Sequence, residues 1–249
     1  MIGETASDRR LIEVSGKDRE SFLQGLVTND VGKLNKGLVY AALLTPQGKY
    51  LADFFLVPGD DRIVIDIHAA FADGFIRRLS MYRLRADVTI APSPLHVTRG
   101  LATPPTGAFA DPRHPALGWR YYSTDTGTPP TVDWDAIRVA HCIPETGIEL
   151  VPDTSYILES GFERLNGVDF RKGCYVGQEV TARMKHKTEL RKGLATVSID
   201  GAAPVGTEII AEGKPAGTLF TQSRGKAIAW LRFDRMGGVA QADSARITL

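Results

Sequence analysis

The sequence has only two cysteines among its 249 residues. Two cysteines cannot build a disulfide framework, and by themselves they cannot fill the ligand positions of a tetrahedral metal site. The chain also lacks an excess of charge, since 30 basic and 29 acidic side chains leave a formal net charge of +1. We therefore expect no general attraction to nucleic acid or to a membrane surface, so any anion must bind at a local cluster of cations.

Long apolar runs are absent as well. No stretch approaches the ~20 apolar residues of a membrane span, and the acidic residues near the N-terminus do not fit a secretory signal. With 43% hydrophobic and 24% charged residues, the composition is that of an ordinary globular protein. We expect a cytoplasmic, bacterial-type protein, although a processed organellar protein would look the same. Nothing resembles a coiled coil, and a monomer is expected.

Strands and helices alternate along most of the chain, which predicts an α+β fold. Short strands separated by glycines follow Arg191 without a helical pattern, and they indicate a small β-barrel. We predict three parts: an N-terminal α+β unit over residues 1–90, a second α+β unit over 91–187, and a C-terminal β-barrel over 188–249.

Three local predictions bear on the position of the candidate residues. A helix capped by Ser15 should continue through Val27, because apolar residues recur there at helical spacing. A strand is predicted at Ala86–Ile90. A further helix should run from about Asp133 to His141, with Asp133 as its cap.

One cysteine, Cys174, lies in the glycine-flanked and charged segment Lys172–Glu179, which reads KGCYVGQE and is followed by Arg183. Cations near a thiol favour the thiolate, the reactive and metal-binding form. The glycines allow an exposed bend. The alternative is a cysteine that only fills core space, which is the reading that we favour for Cys142.

The KGCYVGQE segment resembles the signature of the YgfZ-type folate-binding proteins. Those proteins are relatives of the glycine-cleavage aminomethyltransferase, or T-protein, and are tied to iron–sulfur cluster assembly and repair. Further segments match in order: Phe22–Asp30, Leu44–Lys49, Asp111–Arg113, Leu117–Arg120 and the stretch from Trp134 to Gly147. The resemblance implies two α+β units plus the barrel around a central cleft.

The same resemblance implies a tetrahydrofolate-binding protein, or one that binds another folate derivative, that supports maturation or repair of iron–sulfur proteins. Its functional thiol would be Cys174, surrounded by the remaining motif residues Lys172, Tyr175, Gln178, Glu179 and Arg183. The folate would be held by Trp134, Asn29, Asp30, Tyr82 and Arg83. A cluster usually has four ligands, so no resident metal is expected. Cys174 would be a transient ligand of a cluster shared with a partner, or a redox-sensitive thiol that protects a cluster during its transfer. The expected partners are folate and iron–sulfur assembly or client proteins.

The segment that ends at Pro144 departs from the T-protein pattern. It has Ala140 and Cys142 where relatives carry a glutamate and a glycine, and the missing carboxylate removes a partner for the pterin. The catalytic aspartate of the T-protein would fall loosely at Asp73, which is as easily a polar residue on the surface of its helix. No classical catalytic activity is therefore predicted.

Other functions remain open. One alternative is a folate-dependent aminomethyltransferase-like enzyme or a tRNA-modification factor. Another is a folate-binding sensor or docking module in which Cys174 has no role. Residues 169–192 carry a local excess of Lys and Arg that could hold a folate tail, an acidic partner or an RNA backbone, or could be a solvated surface.

Overall fold

The computed structural model describes residues 3–186 and 190–249. The predicted boundary between residues 187 and 188, and Lys187 of the basic segment, lie outside them. Contacts divide the chain into two compact units, unit 1 (Met1–Thr131 with Glu163–Gln178) and unit 2 (Val132–Phe162 with Glu179–Leu249). The three-part division predicted from the sequence stays a prediction.

The secondary structure is mixed α/β. The helices are α1 (Arg19–Gln24), α2 (Ala69–Arg83), α3 (Trp134–His141) and α4 (Gln178–His186). The strands are β1 (Glu4–Thr5), β2 (Arg9–Ser15), β3 (Val39–Leu44), β4 (Tyr50–Pro58), β5 (Arg62–His68), β6 (Thr89–Pro92), β7 (His96–Gly100), β8 (Phe109–Ala110), β9 (Trp119–Ser123), β10 (Lys192–Asp200), β11 (Glu208–Ala211), β12 (Lys214–Ser223), β13 (Lys226–Arg232), β14 (Ala240–Ala242) and β15 (Ala245–Thr248). No helix in the described ranges is long and apolar enough to cross a membrane.

Unit 1 contains two antiparallel sheets. The larger has five strands in the order β3-β4-β5-β2-β6, and the smaller has four in the order β1-β7-β9-β8. Side chains alternate between the faces of a strand, and β5 shows the result: Ile63, Ile65 and Ile67 belong to the hydrophobic core that contains Phe75 of α2. The opposite face of the same strand carries Asp66, which is fully buried.

Unit 2 contains helix α3 and a closed barrel in the order β10-β13-β12-β11-β14-β15. The barrel core is built largely from alanine and branched aliphatic residues. Arg138 of α3 joins helix and barrel, because its guanidinium donates to Thr221 Oγ1 at 3.0 Å and to Glu149 Oε2 at 3.1 Å. The C-terminal barrel predicted from the glycine-separated strands is confirmed.

The prediction of α1 was wrong at both ends. The residue before the helix is Asp18, not Ser15, and the helix ends at Gln24. The chain then becomes extended, because the N–H of Thr28 donates to the carbonyl of Ala42 at 3.0 Å and Thr28 Oγ1 accepts from the N–H of Ala42 at 2.8 Å. Pairing with β3 therefore outweighs the helical spacing of the apolar residues.

Of the other two local predictions, one is confirmed and one is displaced by a few residues. Helix α3 is confirmed, since the carboxylate of Asp133 accepts from the N–H of Ala136 at 2.9 Å and so caps it. The strand predicted at Ala86–Ile90 lies a few residues later, at Thr89–Pro92.

Candidate functional site

Cys174 lies on a loop of unit 1 that we call the thiol loop, residues 166–177. Its first half is fixed to the segment after α1. Thr28 Oγ1 donates to the carbonyl of Gly167 at 2.7 Å, and the N–H of Asp169 donates to the carbonyl of Thr28 at 3.0 Å. Asn29 Nδ2 donates to the carbonyl of Asn166 at 2.7 Å. The segment Phe22–Asp30 therefore lies beside the stretch that leads into the KGCYVGQE motif.

An ion pair adds to this attachment. Lys33 Nζ lies 2.7 Å from Asp169 Oδ2 and donates to Asn29 Oδ1 at 2.9 Å. The hydrogen bond from Lys33 lowers the pKa of the Asp169 carboxyl group. Asp169 Oδ1 also accepts from the N–H of Arg171 at 2.7 Å, so one carboxylate orders the turn that leads to the cysteine.

Lys172 is buried at 7% exposure. Its ammonium group donates to the carbonyl of Gln24 at 2.7 Å and to that of Val27 at 2.5 Å. These carbonyls lie at and just beyond the end of α1, where a helix leaves acceptors without partners inside the helix. Burial lowers the pKa of Lys172 to about 8, although the carboxylates of Asp30 and Asp169 oppose the shift. Lys172 thus serves to attach the loop.

The thiol of Cys174 is exposed and not disulfide-bonded. Gly173 has open space where a side chain would begin. Gly177 has φ of +84°, and an added Cβ would lie 2.5 Å from the carbonyl oxygen of Thr45 in the β3–β4 turn. Only glycine fits such a backbone position without strain, so the sequence prediction of a glycine-dependent bend is confirmed at Gly177. The loop thereby holds its thiol in solvent between two fixed points.

The remaining motif residues have varied surroundings. Tyr175 is buried, with its ring 5.0 Å from the ammonium of Lys172. Gln178 begins α4, and its N–H donates to the carbonyl of Tyr175 at 3.2 Å. Glu179 and Arg183 belong to unit 2, where they form an exposed pair at 2.9 Å. Such surface pairs contribute little to stability, and the assignment of all four residues to a functional site stays a prediction.

Asn29 and Asp30 were predicted to bind folate. Asn29 is 3% exposed, and its amide oxygen accepts from the N–H of Asp30 at 2.9 Å besides the bond from Lys33. Its amide nitrogen donates to the carbonyls of Tyr40 and Asn166 at 2.8 and 2.7 Å. An amide has two donors and two acceptor positions, so a ligand would have to replace one of these contacts.

Asp30 keeps more hydrogen-bonding capacity for a ligand than Asn29 does. Its Oδ1 accepts from the N–H of Gly32 at 3.1 Å and from Gln24 Nε2 at 3.0 Å. It lines a cavity of about 200 Å³ with Glu20, Ser21, Gln24, Val31 and Gly32. Pockets for molecules of folate size usually measure ~300–1,000 Å³, so this cavity alone does not fit a folate.

The other predicted folate residues are spread over the chain. Tyr82 packs against the helix-side core of unit 1, and Arg83 is exposed at the end of α2. Trp134 begins α3 in unit 2 and is 8% exposed. Trp134 belongs to unit 2 and the other four residues to unit 1, and the folate site stays a prediction.

A buried cluster of charged residues in unit 1 was not predicted from the sequence. Asp66 Oδ1 lies 2.7 Å from Arg9 Nε, and Asp66 Oδ2 lies 2.8 Å from Arg120 Nη2. Arg113 and Asp111 form a second buried pair at 2.8 Å. The segments Asp111–Arg113 and Leu117–Arg120 carry part of the family resemblance. They also supply three of these charges to the interior between the two sheets.

We define the ionic cluster by Arg9, Asp53, Asp66, Asp111, Arg113 and Arg120. Asp53 is buried, accepts from the hydroxyls of Tyr40 and Tyr50 at 2.9 and 2.6 Å, and acts electrostatically on Arg9. The guanidinium groups of Arg113 and Arg120 lie 4.8 and 4.3 Å from the centre of the Phe55 ring. Burial alone would raise the pKa of Asp66, but Arg120 and Arg9 lower it to about 2. The cluster is electrically balanced, with three arginines and three aspartates, and the pair between Asp66 of β5 and Arg120 of β9 links the two sheets.

Comparison with known proteins identifies the family. The family described as "CAF17, C-terminal beta-barrel domain" matches residues 191–249, the region of the closed barrel. The mitochondrial iron–sulfur cluster assembly factor IBA57 of Mus musculus is 31% identical over 92% of this chain and 77% of that protein. The chain belongs to the IBA57 family. The human IBA57 protein is 29% identical over 97% of this chain and 81% of its own length.

Matches to fungal members of the IBA57 family cover a smaller share of those proteins. The mitochondrial homologue of Mycosarcoma maydis is 31% identical over 76% of this chain, and the match spans 55% of that protein. The fold itself has a solved counterpart. The crystal structure of the glycine cleavage system aminomethyltransferase T from Bartonella henselae matches with a TM-score of 0.77 and 12% identity, and covers 100% of this chain and 86% of that one. The aminomethyltransferase-like fold with a C-terminal barrel is therefore confirmed for this IBA57-family chain.

Proposed function

We propose that this chain is an iron–sulfur cluster assembly factor in which Cys174 is the functional thiol. The observation that carries the proposal is an exposed cysteine on a loop attached to the fold at both ends. A thiol that only filled space would be buried among apolar side chains. Membership of the IBA57 family, whose curated members are named as cluster assembly factors, supports the same role.

The chemistry assigned to Cys174 is transient ligation. Its thiolate would bind one iron atom of a cluster in transit, after the thiol proton passes to solvent. Iron–sulfur clusters usually have four protein ligands. No group of three or more His, Cys, Asp or Glu side chains that could hold a metal occurs within residues 3–186 and 190–249. We therefore assign the other ligands to an assembly or client protein, or to small thiols.

Two variants test the thiol. Cys174→Ala should fold normally but fail to restore the activity of an iron–sulfur enzyme in cells that lack the native protein. Cys142→Ser is the matched control, since it removes the half-buried cysteine that ends α3. Full activity with Cys174→Ala would remove the thiol from the mechanism and favour a sensor or docking module. A defect shared by both variants would point to lost stability.

Tetrahydrofolate binding is the second part of the proposal, and it is what the resemblance to YgfZ-type proteins adds. The fold shared with an aminomethyltransferase supports it, as does an indole at Trp134 suited to stacking on a pterin. Titration of tetrahydrofolate against tryptophan fluorescence, with calorimetry and a Trp134→Leu variant, tests it. Binding of unchanged strength in the variant, or no heat at high micromolar folate, would count against this site.

The alternative of a folate-dependent transferase, acting on an aminomethyl donor or a tRNA base, requires a catalytic base. Asp73 is exposed and lies 2.6 Å from Arg10 Nη1 in a surface ion pair, which does not favour that role. Formation of methylenetetrahydrofolate from folate and a methylamine-loaded carrier would support the transferase. We propose that the protein acts in a reducing compartment, a bacterial-type cytoplasm or an organelle, since a shared thiolate requires reduced cysteine.

A further inference from the structure

A second cavity of unit 1 lies between helix α2 and strands β3 and β4. Its volume is about 420 Å³, within the range of sites that hold a side chain or a small molecule. Apolar and charged residues both line it: Leu43, Leu51, Ala52, Ala70, Phe71, Phe75 and Gly74 contribute to the wall, and Asp73, Arg77 and Arg78 form a charged rim. None of these residues belongs to the thiol loop or to the predicted folate site.

Gly74 stands in the middle of α2 and lines this cavity. Glycine inside a helix costs about 1 kcal/mol relative to alanine. Nothing forces glycine here by crowding, because an added Cβ would meet only the tip of Arg77 at 3.9 Å. A larger side chain would instead occupy the cavity, so the glycine keeps it open.

The charges at the rim differ in their pairing. Asp73 is already paired with Arg10. Arg77 and Arg78 have no carboxylate within ion-pair distance among the residues that the structure describes. Two guanidinium groups without a counter-charge, beside a cavity partly lined by apolar side chains, fit a ligand that is acidic and carries an apolar group.

The same surface of α2 continues into exposed apolar side chains. Gly74, Arg77, Arg78 and Met81 share one side of the helix, since they lie three or four positions apart. Met81 is 76% exposed, and Leu84, directly after the helix, is 87% exposed. Leu84 also has a positive φ of 42°, which is strained for leucine. Its exposed side chain contributes nothing to the core.

We propose that the surface formed by Gly74, Arg77, Arg78, Met81 and Leu84 docks an acidic segment of a partner protein. An apolar side chain of that segment would enter the cavity, Arg77 and Arg78 would pair with its carboxylates, and Met81 and Leu84 would cover its far end. Apolar anchors beside charged rims are the usual composition of protein interfaces. Nucleic acid fits less well, because Asp73 lies beside the two arginines and the chain as a whole has a net charge of only +1.

Site-specific photocrosslinking in cells tests the surface on the full chain. p-Benzoylphenylalanine is placed at Met81, and a control placement is made at Leu101, another exposed apolar residue of unit 1. The proposal predicts a protein adduct from position 81 that is absent from position 101. The double variant Arg77→Glu and Arg78→Glu should abolish the adduct.

The captured protein is then purified and titrated directly against the chain by calorimetry. Charge reversal should weaken binding at least tenfold, raised salt should weaken the wild-type complex, and the pocket-filling variant Gly74→Leu should weaken it at unchanged charge. These variants should keep the wild-type alkylation rate at Cys174, which separates a docking defect from misfolding. The test of the thiol proposal is independent of this one, because its result depends on Cys174 and not on the residues of α2.

Several results would overturn the proposal. They are an adduct with lipid or RNA at position 81, labelling at position 81 no stronger than at 101, and binding that survives charge reversal.

Discussion

Lys172, two residues before the exposed cysteine, donates a 2.7 Å hydrogen bond to the carbonyl oxygen of Gln24, 148 positions earlier in the chain. The bond joins the end of α1 to the thiol loop. Together with the contacts of Thr28 and Asn29 it fixes where the thiol is presented, so the site depends on a segment far from it in sequence.

Replacement of Lys172 by methionine tests this attachment. We expect a loss of stability of about 1–3 kcal/mol, because the buried carbonyl of Val27 and the partly buried carbonyl of Gln24 lose their donor. Urea unfolding measures the loss, and iodoacetamide alkylation of Cys174 reports whether the loop has shifted. Lys36→Met removes an exposed lysine of unit 1 and is the control. Equal stability of the two variants would contradict the attachment.

The depressed pKa of Lys172 predicts a dependence of stability on pH. The pKa falls from an ordinary 10.5 to about 8 in the folded protein. Between these values the unfolded chain binds more protons than the folded one, so the contribution of Lys172 to stability rises with pH across this window. Arginine stays protonated there. The stability of the wild type relative to Lys172→Arg should therefore increase from pH 8 to pH 10, and a constant difference would refute the shift.

Two glycines of the motif form a matched pair. Gly177→Ala should destabilise by more than about 1 kcal/mol, because alanine must adopt a left-handed backbone and its Cβ would meet Thr45. Gly173→Ala should be nearly neutral, since no atom lies within 4 Å of its added Cβ. Thermal unfolding and the complementation assay distinguish them. Similar behaviour of the two variants would show that the bend does not depend on Gly177.

Asp66→Asn should cost about 3–5 kcal/mol, because Arg9 and Arg120 would remain buried without their counter-charge. Asp73→Asn, which breaks an exposed pair, should cost less than about 1 kcal/mol. The pKa of Asp66 falls from 3.8 to about 2 on folding. Its contribution is complete above pH 3.8 and is lost as pH falls towards 2, so the difference between wild type and Asp66→Asn should shrink over that window.

Gly74→Ala should stabilise the protein by about 0.5–1 kcal/mol, because alanine favours the helix and its Cβ meets no close neighbour. If the cavity serves a partner, the larger Gly74→Leu should weaken docking while α2 remains folded. Calorimetric unfolding checks the gain in stability. A loss with alanine would mean that the glycine is required by the helix itself.

Some of these features could be predicted from the sequence and others could not. Helix α3 follows from Asp133 and the residues directly after it, and the barrel follows from short strands separated by glycines. Both signals are local. The end of α1 was mispredicted, because Thr28 pairs with β3 and that pairing has no local signature. The ionic cluster could not be predicted for the same reason, since Asp66 and Arg120 lie 54 positions apart.

The buried charges of the ionic cluster also limit which substitutions this chain can accept during evolution. Each of its six charged side chains is balanced by the others inside the protein, so a substitution at one of them leaves an opposite charge stranded in the interior. We therefore expect related sequences to change these positions in compensating pairs or to leave them unchanged.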